Sequence, residues 1–281
     1  MSDSDAFEHW PVALVVQGLR QDLPDPVAVE ESLEIRVAPD AGRDPQPLSV
    51  TLRTPGHDRE LVAGWLYTEG LIESREDLAE IIEGGPDEAT RNRVSVRLRA
   101  GLTLPEEMAR SFVSNAACGV CGKSSVDSIF VKGFPSLRHG APVVAGSFLT
   151  ALPARMRHAQ AGFSATGGLH AAALFDPGGT LGLLREDVGR HNAVDKVVGA
   201  RLLAGALPLR DEVMLVSGRA GFEIAQKAAR AGVAILAAVG APSSLSLRLA
   251  ARSGMTVVGF LRDERFNVYT HPERIALEAP A

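Results

Sequence analysis

The chain has 281 residues, of which 46% are hydrophobic, 22% charged and 5% aromatic. This balance belongs to a globular protein of one large or two modest domains, and it excludes collagen-like, disordered and disulfide-scaffold classes. The formal charge of −5 gives no general affinity for nucleic acid. The longest nearly apolar run, Ala231 to Ala241, is about half of what a membrane-spanning helix needs. The apolar stretch Val12 to Val16 is too short for a signal-peptide core. A cytoplasmic protein with no membrane or nucleic-acid partner is therefore expected.

The first half reads as mixed α and β. Leu33 to Val37, Leu48 to Arg53 and Arg93 to Arg99 have strand character, the last with Val94, Val96 and Leu98 alternating with polar residues. Thr54-Pro55-Gly56 is a turn, and Asp58 to Glu73 a helix with Leu61, Val62, Trp65 and Leu66 on one face and a stop near Gly70. Residues 114–125 form a loop of small residues. The organisation expected is a mixed α+β domain over 1–145 carrying that loop, followed by an α/β domain over 146–281.

The second half is more regular. Ser147 to Ala161 reads as a helix, and Leu169 to Phe175 and Thr180 to Arg185 as a hairpin around Asp176-Pro177-Gly178-Gly179. A helix follows from His191 to Ala204, with Val194, Val197, Val198 and Leu202 inward. Glu212 to Val216 is a strand, leading through Ser217-Gly218-Arg219 into a helix that ends near Gly232. Val233 to Val239, Ser243 to Ser253 and Thr256 to Leu261 complete the order as strand, helix and strand. Strand–helix–strand units impose parallel neighbours with helices on both faces of the sheet.

Ligands of such sheets bind beyond the carboxyl ends of the strands, where helix N-termini offer free N–H groups to anions. Arg190-His191-Asn192, Ser217-Gly218-Arg219 and Gly240 to Ser244 all fall at that edge. The charge distribution points the same way. Arg185 to Arg265 holds 12 basic against 8 acidic residues, whereas the rest holds 17 against 26. A local anion site is expected here.

Only two cysteines exist, Cys118 and Cys121, flanked by Ala116, Ala117, Gly119 and Gly122. The C-x-x-C spacing fits three chemistries: half of a zinc site, a dithiol–disulfide couple, or a nucleophilic thiolate assisted by a second thiol. Spacing does not choose among them. A zinc module would have to recruit His139 or His170. A serine hydrolase built on Ser217, His191 and Asp187 has the residue types but lacks the G-x-S-x-G elbow.

The helix and strand order is also that of the cytidine-deaminase-like fold, a three-layer αβα sandwich. Zinc deaminases carry H-x-E at one helix start and P-C-x-x-C at the next turn. The chain has His191-Asn192-Ala193 at the first place and Ser217-Gly218-Arg219 at the second. Both the zinc ligands and the acid–base glutamate are missing, so zinc deamination is excluded.

Thr54-Pro55-Gly56-His57-Asp58, Cys118-Gly119-Val120-Cys121-Gly122, the block Arg185 to Lys196, Ser217-Gly218-Arg219 and Ala241 to Ser244 together resemble the FdhD family of formate dehydrogenase accessory proteins. The resemblance runs from about residue 10 to residue 271. It implies a deaminase-like fold without zinc, no resident metal, and a homodimer. It implies a sulfurtransferase that takes sulfur from a cysteine desulfurase as a persulfide. The sulfur passes to the molybdenum or tungsten bis(molybdopterin guanine dinucleotide) cofactor, bound as substrate, before the cofactor enters formate dehydrogenase. Cys118 maps to the persulfide carrier, with Cys121 assisting. Phe260, Leu261, Arg262, Asp263, Glu264 and Arg265 map to the cofactor-binding segment. Ser217, Gly218, Arg219 and His191 are the further candidates for the cofactor's guanine-nucleotide part. The alternative is a non-catalytic chaperone that binds and inserts the cofactor.

Overall fold

The computed structural model describes residues 6–38, 43–85, 87, 90–102 and 133–276. The chain opens with a hairpin of two ten-residue strands, β1 (Phe7–Val16) and β2 (Leu19–Ala28). The sequence reading assigns no element there, and Pro11, Pro24 and Pro26 are residues that strand interiors disfavour. A two-stranded ribbon tolerates them, since each strand keeps an outer edge that needs no N–H donor. Gln17 and Gly18 supply the two positive φ angles, 50° and 82°, that a tight hairpin turn requires.

A four-stranded sheet follows. It contains β3 (Glu31–Ala38), β4 (Gln46–Arg53), β5 (Leu78–Glu83) and β6 (Arg93–Leu98) in the order β4-β3-β6-β5. Leu33, Ile35, Val37, Val94, Val96 and Leu98 alternate along β3 and β6 and face inward. Between β4 and β5 lies α1 (Asp58–Thr68), shorter than its expected span. Glu69 caps it, and Gly70, at φ 76°, turns the chain away.

The second half begins with the short strand β7 (Val144–Ala145). The helix expected over 147–161 is α2 (Gly146–Ala159), and after Gln160 a further short helix that the sequence reading does not assign, α3 (Ala161–Thr166), follows it. Then come β8 (His170–Phe175), β9 (Leu181–Asp187), α4 (Arg190–Leu203), β10 (Val213–Val216), α5 (Phe222–Arg230), β11 (Ile235–Ala238), α6 (Ser244–Ser253) and β12 (Thr256–Arg262). The chain does not end its sheet at β12, as the sequence reading expects. It turns back as β13 (Arg265–Thr270), and β14 (Ile275–Ala276) pairs with β7. The main sheet runs β13-β12-β11-β10-β8-β9, with β10, β11 and β12 parallel and the outer pairs antiparallel.

Period-2 alternation sends the strand residues to two cores. Ala171, Ala173, Phe175, Val213, Leu215, Ile235 and Ala237 pack with Leu149, Leu152 and Met156 of α2. Ala172, Leu174, Met214, Val216, Leu236 and Ala238 pack with α4, α5 and α6 on the opposite face. That second core continues without a break into α1 and the inner face of the four-stranded sheet, so both halves of the chain share it. Each large side chain buried this way contributes ~1.5–3 kcal/mol. Among the described residues, no helix is long and apolar enough to cross a membrane.

Candidate functional site at the carboxyl edge of the main sheet

Backbone hydrogen bonds tie the predicted loops together at the carboxyl ends of β10, β11 and β12. Gly240 N–H donates to Gly218 O at 3.0 Å, Phe260 N–H to Gly240 O at 3.0 Å, and Ser243 N–H to Ala220 O at 3.2 Å. The close approach depends on glycine: a β-carbon on Gly240 would stand 2.9 Å from Gly218 O and 3.1 Å from Arg219 Cα. Ser217 braces the edge from below, its Oγ accepting from Ala171 N–H at 2.9 Å while its own N–H donates to Ala171 O. Segments 217–219, 240–243 and 260 are thus one continuous rim.

Phe260 sits at φ 53°, a left-handed conformation rare for an aromatic residue, within an irregularity of the β12–β13 pairing. The bulge turns Phe260 half outward and Leu261 fully inward, into the core shared with α2. Leu261 therefore reaches the rim through packing only. Arg262, Asp263, Glu264 and Arg265 form the exposed tip of the β12–β13 hairpin, with Arg262 opposite Arg265 and Asp263 in the left-handed region.

A second group of polar residues adjoins the rim. A β-carbon on Gly218 would lie 3.6 Å from His170 Nδ1 and 3.7 Å from Arg190 Cδ. His191, at the start of α4, places Nε2 2.8 Å from Glu223 Oε2 in the first turn of α5. Arg190 stands at the edge as the sequence reading expects, whereas His170 and Glu223 are residues that the reading did not assign to it. Glu223 was legible as a first-turn residue of a helix that starts there. Burial, reinforced by the charges of Arg190 and His191, lowers the pKa of His170, while Asp187 opposes this. His170 is consequently a neutral imidazole near pH 7.

The helix starts are less open to anions than the sequence suggests. Glu223 occupies the first turn of α5, where its carboxylate complements the helix dipole. At α6 the N-cap Ser243 accepts from Ser246 N–H at 3.2 Å and donates its own N–H to Ser246 Oγ at 3.0 Å. This capping box occupies two of the donors. Arg219 is exposed beside these two helix starts. The edge therefore offers guanidinium groups and a narrow set of backbone donors, a combination suited to phosphate.

Most of the Arg185 to Lys196 block does something else. Arg185 grips both oxygens of Glu60 on α1 at 2.6 and 2.8 Å. Glu186 accepts from Gly162 and Phe163 N–H, both at 2.8 Å, and so caps α3. Asp187, fully buried, pairs with Lys196 at 2.7 Å and accepts from Thr54 N–H, Gly189 N–H and Asn192 Nδ2. Lys196 also donates to Thr54 O at 2.9 Å, and Thr54 Oγ1 accepts from Val188 N–H. The Thr54-Pro55-Gly56-His57-Asp58 turn and this block, some 130 residues apart, interlock. Asp195 pairs with Lys227 at 2.9 Å. Burial acts to lower Lys227, but Asp195 and Glu69 outweigh it and hold the ammonium above its ordinary range.

Cys118 and Cys121 lie outside the described residues. Among the described residues, no three His, Cys, Asp or Glu side chains gather as a metal site.

The FdhD/NarQ family model matches residues 28–276. The chain belongs to the FdhD/NarQ family. It is similar to a sulfur carrier protein FdhD of Mycolicibacterium paratuberculosis, 49% identical over 90% of this chain and 92% of that one. A sulfur carrier protein FdhD of Streptomyces avermitilis is 46% identical over 98% and 97% of the two chains. A crystal structure of a candidate formate dehydrogenase accessory protein from Desulfotalea psychrophila superposes with a TM-score of 0.73 at 28% identity, covering 96% of this chain and all of that one.

Proposed function

We propose that this FdhD/NarQ family member is a sulfur carrier and sulfurtransferase serving formate dehydrogenase. Cys118 thiolate attacks the outer sulfur of a cysteine desulfurase persulfide. The donor's S–S bond breaks, its thiolate leaves, and Cys118 holds the sulfur as a persulfide. Attack by Cys121 on the inner sulfur then releases the outer atom as sulfide for the molybdenum or tungsten bis(molybdopterin guanine dinucleotide) substrate. The dithiol supplies the two electrons and becomes a disulfide, which a thiol reductant resets. The small residues around the pair suit a loop that meets two partners in turn, and Lys123 favours the thiolate.

The observation that carries this reading is full-length similarity, at 46–49% identity, to proteins named sulfur carriers. The edge at Ser217 to Arg219, with His191 and the segment Phe260 to Arg265, is where we read the cofactor's phosphates and guanine. The substrate thus docks on the α/β half. We also read that half as deaminase-like in its layering, with the zinc positions given over to His191-Asn192-Ala193 and Ser217-Gly218-Arg219.

Intact-protein mass after incubation with a cysteine desulfurase and cysteine tests the reading. Wild type gains the mass of one sulfur atom, a reductant reverses the gain, and Cys118→Ala does not gain it. A wild type that acquires no sulfur overturns the carrier role and leaves a cofactor-holding chaperone.

A further inference from the structure

Three basic side chains gather around the Gly218 loop without a partner. Among the described residues, His170, Arg190 and Arg219 make no side-chain hydrogen bond and no ion pair. The acids of the same region are committed elsewhere. Asp187 pairs with Lys196 at 2.7 Å, Glu223 with His191 at 2.8 Å, and Glu186 accepts two backbone N–H groups of α3. The loop is left with a cationic excess that its own acids do not cancel.

His170 is the titratable member of the three. It is half-buried at the start of β8, and its ring stands beside the Arg190 side chain over the bare Cα of Gly218, at 3.6 Å and 3.7 Å from where a β-carbon would lie. Arg219 follows in the loop, with Cγ 3.1 Å from the corresponding point on Gly240. Burial disfavours the imidazolium most, Arg190 and His191 of α4 add to this, and Asp187, directly across the β8–β9 pairing, opposes it. Asp187 is held by Lys196, and Glu223 of α5 by His191, so neither acid is available to keep a proton on the ring. An anion brought against Arg190 changes that balance, because it meets the ring with negative charge that has no cation of its own.

We propose that His170 is a proton-linked contact for phosphate: a phosphate or diphosphate group docking against Arg190 and the Gly218 loop is met by the His170 imidazolium, its proton taken up from solvent. The proposal rests on the reading of this edge as the cofactor's phosphate site, and it adds to that site a residue and a dependence on pH. A neutral donor becomes a charge-assisted one only when the anion is present. Docking raises the pKa of the ring. The added affinity is therefore complete below the pKa of the free protein and is lost as pH rises through that of the complex.

Titration calorimetry of the full chain with guanosine diphosphate, in two buffers of different ionisation enthalpy, tests the proposal. His191 and the terminal phosphate titrate in the same range, so wild type is compared with His170→Gln, which retains both. Wild type is expected to take up a larger fraction of a proton on binding than the variant. Its affinity relative to the variant is expected to grow about tenfold from about pH 8 to about pH 5, the change that a tenfold rise in the proton affinity of one imidazole produces. The Cε1–H resonance of His170 gives a second reading in the wild-type protein, and its titration is expected to move to higher pH when guanosine diphosphate or inorganic pyrophosphate is added. If guanosine diphosphate binds with the same pH dependence to both proteins, or the His170 titration stays in place on binding, the proton-linked contact is overturned while the phosphate site stands. If guanosine diphosphate binds at no pH, the phosphate-site reading falls and this proposal with it.

Discussion

Gly64 of α1 and Gly199 of α4 press the two helices together at their crossing. A β-carbon on Gly64 would stand 1.9 Å from Asp195 O, and one on Gly199 would stand 1.8 Å from Glu60 O. This contact brings Glu60 within reach of Arg185, and Thr68 Oγ1 to Asp195 at 2.7 Å. The crossing thereby sets the geometry of the block that ends at the candidate site. No side-chain adjustment can relieve such overlaps, because both partners are backbone.

Gly64→Ala and Gly199→Ala should therefore each destabilise the protein by about 1–3 kcal/mol or more, the range for overpacking a core. The double variant should cost less than the sum, since either methyl already forces the helices apart. Urea midpoints of the four forms check this. Additive losses would mean that the two helices yield independently.

The buried pair Asp187–Lys196 makes a sharper prediction. Lys196→Met leaves the Asp187 carboxylate uncompensated at a fully buried position, and Asp187→Asn leaves the ammonium so. Breaking such a pair from one side costs about 3–5 kcal/mol. Both variants should also release the Thr54 turn, whose carbonyl and N–H they hold. Hydrogen exchange at Thr54 and Val188 should rise more than at the central strand β10, and uniform protection loss would instead indicate plain global destabilisation.

How much of this was legible in the sequence depends on the range of the interaction. The periodic segments of the second half show themselves because one buried face repeats along the chain, as in Val194, Val197, Val198 and Leu202. The segments at the sheet edge were legible for a similar reason: Ser217-Gly218-Arg219 and Gly240 follow strands and precede helices. The β1–β2 hairpin was not legible, because its prolines contradict strand propensity and much of its apolar face stays exposed. Strand β13 was hidden by Arg262 to Arg265, whose four charges read as an exit rather than a turn. Glu60 with Arg185, and Thr54 with Asp187, are invisible in principle, since their partners lie 125 and 133 residues apart.

Acid should act through Glu60. Burial pushes its carboxyl up, but hydrogen bonds and charge from Arg185 and His57 outweigh this and hold it at about 2 against an ordinary 4.5. A depressed carboxyl stabilises the fold fully above pH 4.5, and the contribution disappears as pH falls toward 2. Linkage converts that displacement into at most about 3 kcal/mol at neutral pH, and solvent screening of the half-buried carboxylate lowers it further. In Glu60→Gln the stability at pH 7 should fall and its slope between pH 4.5 and 2 should flatten relative to wild type. Parallel stability curves for the two proteins would discard the assignment.

Arg219 should govern ligand charge at the rim. Its loop is fixed by the Gly218–Gly240 hydrogen bond, so the guanidinium is presented from a rigid backbone rather than a free loop. A charge-assisted hydrogen bond to phosphate contributes about 1.5–3 kcal/mol. Arg219→Ala should then weaken guanosine diphosphate binding by roughly tenfold to a hundredfold, and the remaining affinity should depend less on salt. Gly240→Ala, which drives a methyl to within 3.1 Å of Arg219 Cα and Cγ, should reproduce part of that loss with the arginine still present. Isothermal titration at two salt concentrations distinguishes the cases. If Gly240→Ala lowers affinity and Arg219→Ala does not, the rim binds through its backbone donors and the arginine is a bystander.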